Sequence, residues 1–139
     1  MFELAIFYCQ HQTGRVMQIL GNLNNLAGSR IRKVALPCSG KLEVSFLLKA
    51  LENGANGVAL FGCPEEECHY LVGSARAKNR VRYARRVLRE IGLEEERVHR
   101  FVFADQNPPE EMNSLKAWAE KIQSMSSLPG NSKMRMQRQ

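Results

Sequence analysis

Short apolar runs alternate with longer stretches in which apolar residues recur every three or four positions, and the alternation repeats four times along the chain. The runs are Phe2 to Cys9, Ile31 to Cys38, Gly57 to Cys63 and His99 to Ala104. Rich in Val, Ile, Leu and Phe, they read as strands. Between them, Leu42 to Asn53 sets Phe46, Leu47, Ala50 and Leu51 on one side of a helix, and Gly54 stands just past its end. Ser74 to Ile91 carries the longest stripe, Ala77, Val81, Ala84, Leu88 and Ile91, and Gly92 stops it. Pro108 and Pro109 precede a last helix from Glu110 to Gln123 whose Leu115, Trp118, Ala119 and Ile122 face inward. Thr13 to Leu26 has Val16, Met17, Leu20 and Leu23 at helical spacing, weakened by Gly21 and three asparagines. The pattern predicts one α/β domain, a four-stranded parallel sheet with helices on both faces, in the flavodoxin-like or Rossmann-like manner. Ligands of such sheets bind beyond the carboxyl ends of the strands, where the strand order reverses.

A length of 139 residues suits a single domain, expected over 1–123, and 44% hydrophobic with 24% charged residues excludes a disordered or fibrous chain. From Ser124 onward the sequence turns polar and basic around Pro129 and Gly130, which reads as a flexible tail over 124–139. No apolar run approaches the roughly 18–20 residues of a membrane span, so no membrane insertion is expected. The N-terminus lacks the basic start and small-residue cleavage site of a secretory signal, and the expected location is cytoplasmic.

The four cysteines change the picture most. In a reducing compartment they argue for metal binding or redox chemistry rather than a disulfide framework. Cys9, Cys38 and Cys63 each close a different expected strand, and Cys68 follows Cys63 across the acidic segment Pro64-Glu65-Glu66-Glu67. Thiolates gathered at the ligand end of a parallel sheet suit a tetrahedral zinc ion or an iron–sulfur cluster, since both require soft anionic sulfur donors. The C-x4-C spacing of Cys63 and Cys68 leaves both open. A buried free cysteine is also an ordinary core residue, and that reading stands beside the metal one for Cys9 and Cys38. His69 and His11 stand next to this set as further ligands, as donors of an outer hydrogen bond, or as plain loop histidines.

Net charge is +6, and seven of the basic residues, Arg76, Lys78, Arg80, Arg82, Arg85, Arg86 and Arg89, lie in one helical stretch without an acidic residue among them. A nucleic-acid-binding domain using helix 76–89 is one reading, but aromatic partners are scarce there and no nucleic-acid motif accompanies it. A solvated basic face is the plain reading of such a charge run; the preferred functional reading is docking of an acidic protein through Arg76, Arg80, Arg82 and Arg86, because complementary charge speeds the encounter of electron carriers. Nucleic acid is therefore not an expected partner. There is no Gly-rich phosphate loop, no H-E-x-x-H pair and no nucleophile elbow, and no catalytic residue is assigned. A thiol enzyme with Cys38 as nucleophile and His69 as base would leave the other cysteines without a role.

Pro37-Cys38-Ser39-Gly40, Leu47 to Gly54 with Gly57, Gly62-Cys63, Cys68-His69-Tyr70, Gly73 and the basic helix after it resemble the delta subunit of methyl-viologen-reducing hydrogenase, over Ile31 to Phe103. Phe7-Tyr8-Cys9 is similar to that family's first cysteine segment. The resemblance implies a 2Fe-2S cluster on Cys9, Cys38, Cys63 and Cys68. It also implies electron relay between a donor oxidoreductase and a flavin-containing heterodisulfide reductase A-like subunit, inside a larger complex and without enzymatic activity of its own. The family pattern carries a further cysteine three residues after the first, where this chain has Gln12, so His11 stands as an alternative donor. The alternative from another class is a zinc-stabilised interaction module in which the same thiolates are structural.

Overall fold

Strands β1 (Phe2–Cys9), β2 (Ser29–Leu36), β3 (Gly57–Gly62) and β4 (Val98–Val102) alternate with helices α1 (Thr13–Leu23), α2 (Val44–Glu52), α3 (Gly73–Glu90) and α4 (Pro108–Ser124). The structure, a computed structural model, describes residues 2–10, 13–23, 29–37, 42–62, 73–102 and 108–125. All strand pairs are parallel and the sheet order is β2-β1-β3-β4. That is the flavodoxin-like order, with the reversal between β1 and β3, which settles the choice between the two doubly wound arrangements.

The central strands are apolar on both faces because both faces are covered. Leu4, Ile6 and Tyr8 of β1 pack with Ala59 and Phe61 of β3 against Val16, Ile19 and Leu20 of α1 and Leu115, Trp118 and Ile122 of α4. On the other face Ala5, Phe7, Val58 and Leu60 meet Leu47 and Leu51 of α2 and Ala77, Val81, Ala84 and Leu88 of α3. Gly57 lets α4 lie on the backbone of β3, since a Cβ there would sit 3.0–3.2 Å from Ile122, Trp118 and Leu4.

The expected helix stops are Schellman ends. Gly92 has φ +84°; its N–H donates to Arg89 O at 3.2 Å, and Leu93 N–H to Leu88 O at 2.8 Å. Gly54, with φ +116°, ends α2 in the same way, with Ala55 N–H donating to Ala50 O at 3.0 Å.

The structure corrects some boundaries and two core assignments. β2 starts at Ser29 and ends at Leu36, so Cys38 follows the strand by two residues, and Cys63 follows β3 by one. Phe46 and Met17 are exposed, at 38% and 37%. Each stands one position off the stripe its helix buries, Leu47-Ala50-Leu51 in α2 and Val16-Ile19-Leu20 in α1, and one position is a rotation of about 100°. α4 runs to Ser124, and Met125 packs on its core cluster; the rest of the stretch expected as a tail, 126–139, lies outside the described residues.

The amino end of the sheet is closed by paired polar groups. Asn56 and Glu3 exchange hydrogen bonds, Asn56 N–H to Glu3 O at 2.7 Å and Glu3 N–H to Asn56 Oδ1 at 2.9 Å. The Glu3 carboxylate is buried and accepts from Arg32 at 2.7 Å. Arg97, fully buried, donates to Glu94 at 2.7 Å and to Asn56 O at 2.9 Å.

Candidate functional site

At the carboxyl rim of the sheet, β1 ends on Cys9 beside the ends of the strands that lead in sequence to Cys38 and Cys63. Cys9 ends β1, is free and is 4% exposed. By strand alternation it shares the face of Ala5 and Phe7, toward α2 and α3. Its register partner is Leu36, the last residue of β2, and on the other side Tyr8 pairs with Phe61, one residue before the end of β3. Neighbouring strands stand about 4.8 Å apart, so the three strand ends leading into Cys9, Cys38 and Cys63 span roughly 10 Å. Cys38, Cys63, Cys68, His11 and His69 themselves lie outside the described residues. Among the described residues, which include Cys9 alone of the four cysteines, no three His, Cys, Asp or Glu side chains are grouped to hold a metal ion.

Three helices begin at this rim, α1 at Thr13, α2 at Val44 and α3 at Gly73, and none has an acidic residue in its first turn. Their amino ends, with unsatisfied N–H groups and the positive end of each peptide dipole, favour negative charge there.

The second group of expected site residues lies on α3, whose buried stripe Ala77-Val81-Ala84-Leu88 turns most of the arginines outward. Arg76, Lys78, Arg82, Arg86 and Arg89 are exposed. Arg80 differs: half-buried, it donates to the carbonyl of Leu42 and so ties α3 to the segment before α2. Arg85 and Arg89 share Glu95, at 3.4 and 3.2 Å. The Arg86 guanidinium lies 5.3 Å from the Tyr83 ring centroid, within cation–π reach.

Two shallow grooves join at Arg82. One is lined by Asn79, Arg82, Tyr83, Arg86 and Arg89 on the outer ridge of α3. The other, lined by Lys78, Val81, Arg82, Arg85, His99 and Arg100, runs between α3 and the edge strand β4. Burial, and then the nearby charge of Arg85, pushes His99 below the usual imidazole range. The sequence reading did not include His99 and Arg100. A signal was available, since a charged residue at Arg100, on the helix-covered face of a strand, is an edge-strand feature.

Among the described residues no helix is long and apolar enough to cross a membrane. The sequence model of the family described as methyl-viologen-reducing hydrogenase, delta subunit, matches residues 4–126. The iron–sulfur subunit of the F420-non-reducing hydrogenase of Archaeoglobus profundus is 37% identical over 96 residues, covering 69% of this chain and 70% of that protein. The iron–sulfur subunit of the vhu F420-non-reducing hydrogenase of Methanocaldococcus jannaschii is 32% identical over 102 residues, 73% of this chain and 76% of its own length. A different kind of match is the A-type subunit of the ferredoxin:CoB-CoM heterodisulfide reductase of Methanosarcina mazei, 39% identical over 70 residues that make up 50% of this chain but 9% of that protein.

Proposed function

Because the chain belongs to the methyl-viologen-reducing hydrogenase delta-subunit family, we propose that it is an electron-transfer subunit of a redox complex, holding a 2Fe-2S cluster on Cys9, Cys38, Cys63 and Cys68. The observation that carries the reading is the rim: a buried cysteine at the end of β1, flanked by the ends of the two strands that lead into Cys38 and Cys63. The donor chemistry fits, since such a cluster takes four thiolates and the chain has four cysteines. The helix amino ends at the rim fit as well: α1 and α3 have no acidic residue in their first turn, and α2 has none after its N-cap Glu43. Relatives named as iron–sulfur subunits of hydrogenases support the same cofactor class.

When bound, the cluster supplies reversible one-electron exchange. The chain's own part is to hold the thiolates at the switch point of a rigid sheet, to shield Cys9 from water, and to present a charged face to its partner. It has no substrate chemistry of its own in this reading.

The expected partner is a flavin-containing, heterodisulfide reductase A-like subunit. Support comes from the Methanosarcina mazei protein, in which a segment similar to half of this chain is built into the reductase polypeptide itself. A segment joined to its partner works at high effective concentration, and a separate chain must replace that linkage with a docking surface.

The test is Cys63→Ser in protein prepared without oxygen. Loss of the visible sulfur-to-iron absorbance with the fold retained is expected; an undiminished spectrum would remove Cys63 from the ligand set. A colourless native protein holding zinc would replace the proposal with a structural zinc module.

A further inference from the structure

The sheet is one strand short of the five-stranded flavodoxin-like order. β4 pairs with β3 on one side, and among the described residues no strand lies on its other side. Open edges leave a row of backbone N–H and C=O groups unpaired and are places where another chain can add a strand. This edge is flanked by the groove of Lys78, Arg82, Arg85 and Arg100. Arg82 and Lys78 are exposed and make no ion pair among the described residues, while Arg85 and Arg89 are partly neutralised by Glu95.

We propose that an acidic, extended segment of a partner protein adds to β4 as a fifth strand and lays its carboxylates on the α3 cations, with Tyr83 and Arg86 at the margin of the contact. The dimensions agree. Lys78 to Arg89 is about 16 Å of helix at 1.5 Å per residue. The five residues of β4 extend about 13 Å from first to last at 3.3 Å per step, a little less than that. Cations strung along such a length match a row of alternate side chains, whereas a small anion needs donors converging on one point. Tyr83 is 51% exposed with Arg86 over its ring, and Tyr and Arg are among the residue types enriched at binding hot spots. Two occupants are disfavoured by charge. The chain's own residues 126–139 carry Lys133, Arg135 and Arg138 and no acidic residue, and a second copy brings another +6.

The inference rests on the reading of the chain as a subunit of a larger complex, but its test does not depend on the cluster. The full chain is titrated into a fluorescein-labelled decapeptide of alternating glutamate and valine, with a lysine–valine decapeptide, tripolyphosphate and a ten-residue oligothymidine as comparisons. Anisotropy reads binding, and amide hydrogen exchange reads residues 98–102. Expected are binding of the acidic peptide alone among the peptides, slowed exchange of β4 amides, and at least tenfold weaker binding by Arg82→Glu. Lys49→Glu, the same charge change on exposed α2, should leave binding within twofold. Absence of binding, binding without β4 protection, equal loss in both variants, or tighter binding of tripolyphosphate or oligothymidine would overturn the proposal. Iron content measured on the same samples reports separately on the electron-carrier reading.

Discussion

Replacing Cys9 by alanine or serine separates the two reasons a cysteine can stand at the end of β1. In metal-free protein the thiol is only a buried side chain, 4% exposed. Removing it deletes about one methylene-sized group and leaves a small void, which costs on the order of 1 kcal/mol. Serine keeps the volume but buries a hydroxyl, at about 1–3 kcal/mol if it lacks a partner. An unfolding entropy of about 2.1 cal/mol/K per residue gives roughly 0.29 kcal/mol/K for 139 residues. Alanine should then lower the Tm of the metal-free protein by about 3–4 °C and serine by about 3–10 °C. The loaded protein adds a second contribution, since a group bound only by the folded state stabilises it by about 4 kcal/mol at a thousand times its Kd, or roughly 14 °C here. If Cys9 is a ligand, that gap between loaded and metal-free protein should fall to less than half in both variants. Differential scanning fluorimetry under nitrogen, before and after chelation, measures all six values. A gap as wide in Cys9→Ala as in the parent would refute the ligand role and leave Cys9 as a core residue.

Glu94→Ala should cost about 1–2 kcal/mol in urea unfolding, because it removes a charged hydrogen-bond partner of the fully buried Arg97 from the solvent side, where Glu94 is itself 43% exposed; a change below 0.5 kcal/mol would contradict the pairing. Gly57→Val should destabilise by about 1–3 kcal/mol or more, since even its Cβ would meet Ile122, Trp118 and Leu4 at 3.0–3.2 Å, and an unchanged midpoint would show that α4 yields freely. His99 has a folded-state pKa below its unfolded value, so the unfolded chain takes up protons first as pH falls. Stability from this residue is present above about pH 6.5 and lost as pH drops through the folded value. The urea midpoint should accordingly fall between pH 7.5 and 5.5 in the parent and fall less in His99→Gln, while Glu94, lowered by its bond to Arg97, acts only in the carboxylate range below that window.

Much of the architecture was legible because periodicity is set by burial. β3 is a continuous apolar run and β1 is one from Leu4 to Cys9, and both became central strands covered on both faces. Gly54 and Gly92 marked helix ends because only their positive φ closes the turn cheaply. Side-chain period alone did not give the strand order, so the flavodoxin-like and Rossmann-like arrangements stayed equivalent until β1 was found beside both β2 and β3. Met17 and Phe46 were misplaced because an apolar residue at the margin of a stripe looks the same in sequence whether or not something covers it. On the candidate site, the rim was legible through the cysteines at strand ends, whereas the groove was not. Arg80 turns toward Leu42, and Arg100 and His99 join the α3 cations only through the packing of β4 against the helix.

The central claim is the cofactor, and counting iron, acid-labile sulfide and zinc per chain in protein purified without oxygen tests it most directly, together with the electron paramagnetic resonance spectrum after reduction. Two irons and two sulfides per chain with a rhombic signal in the reduced state are expected. One zinc per chain with neither iron nor sulfide would contradict it.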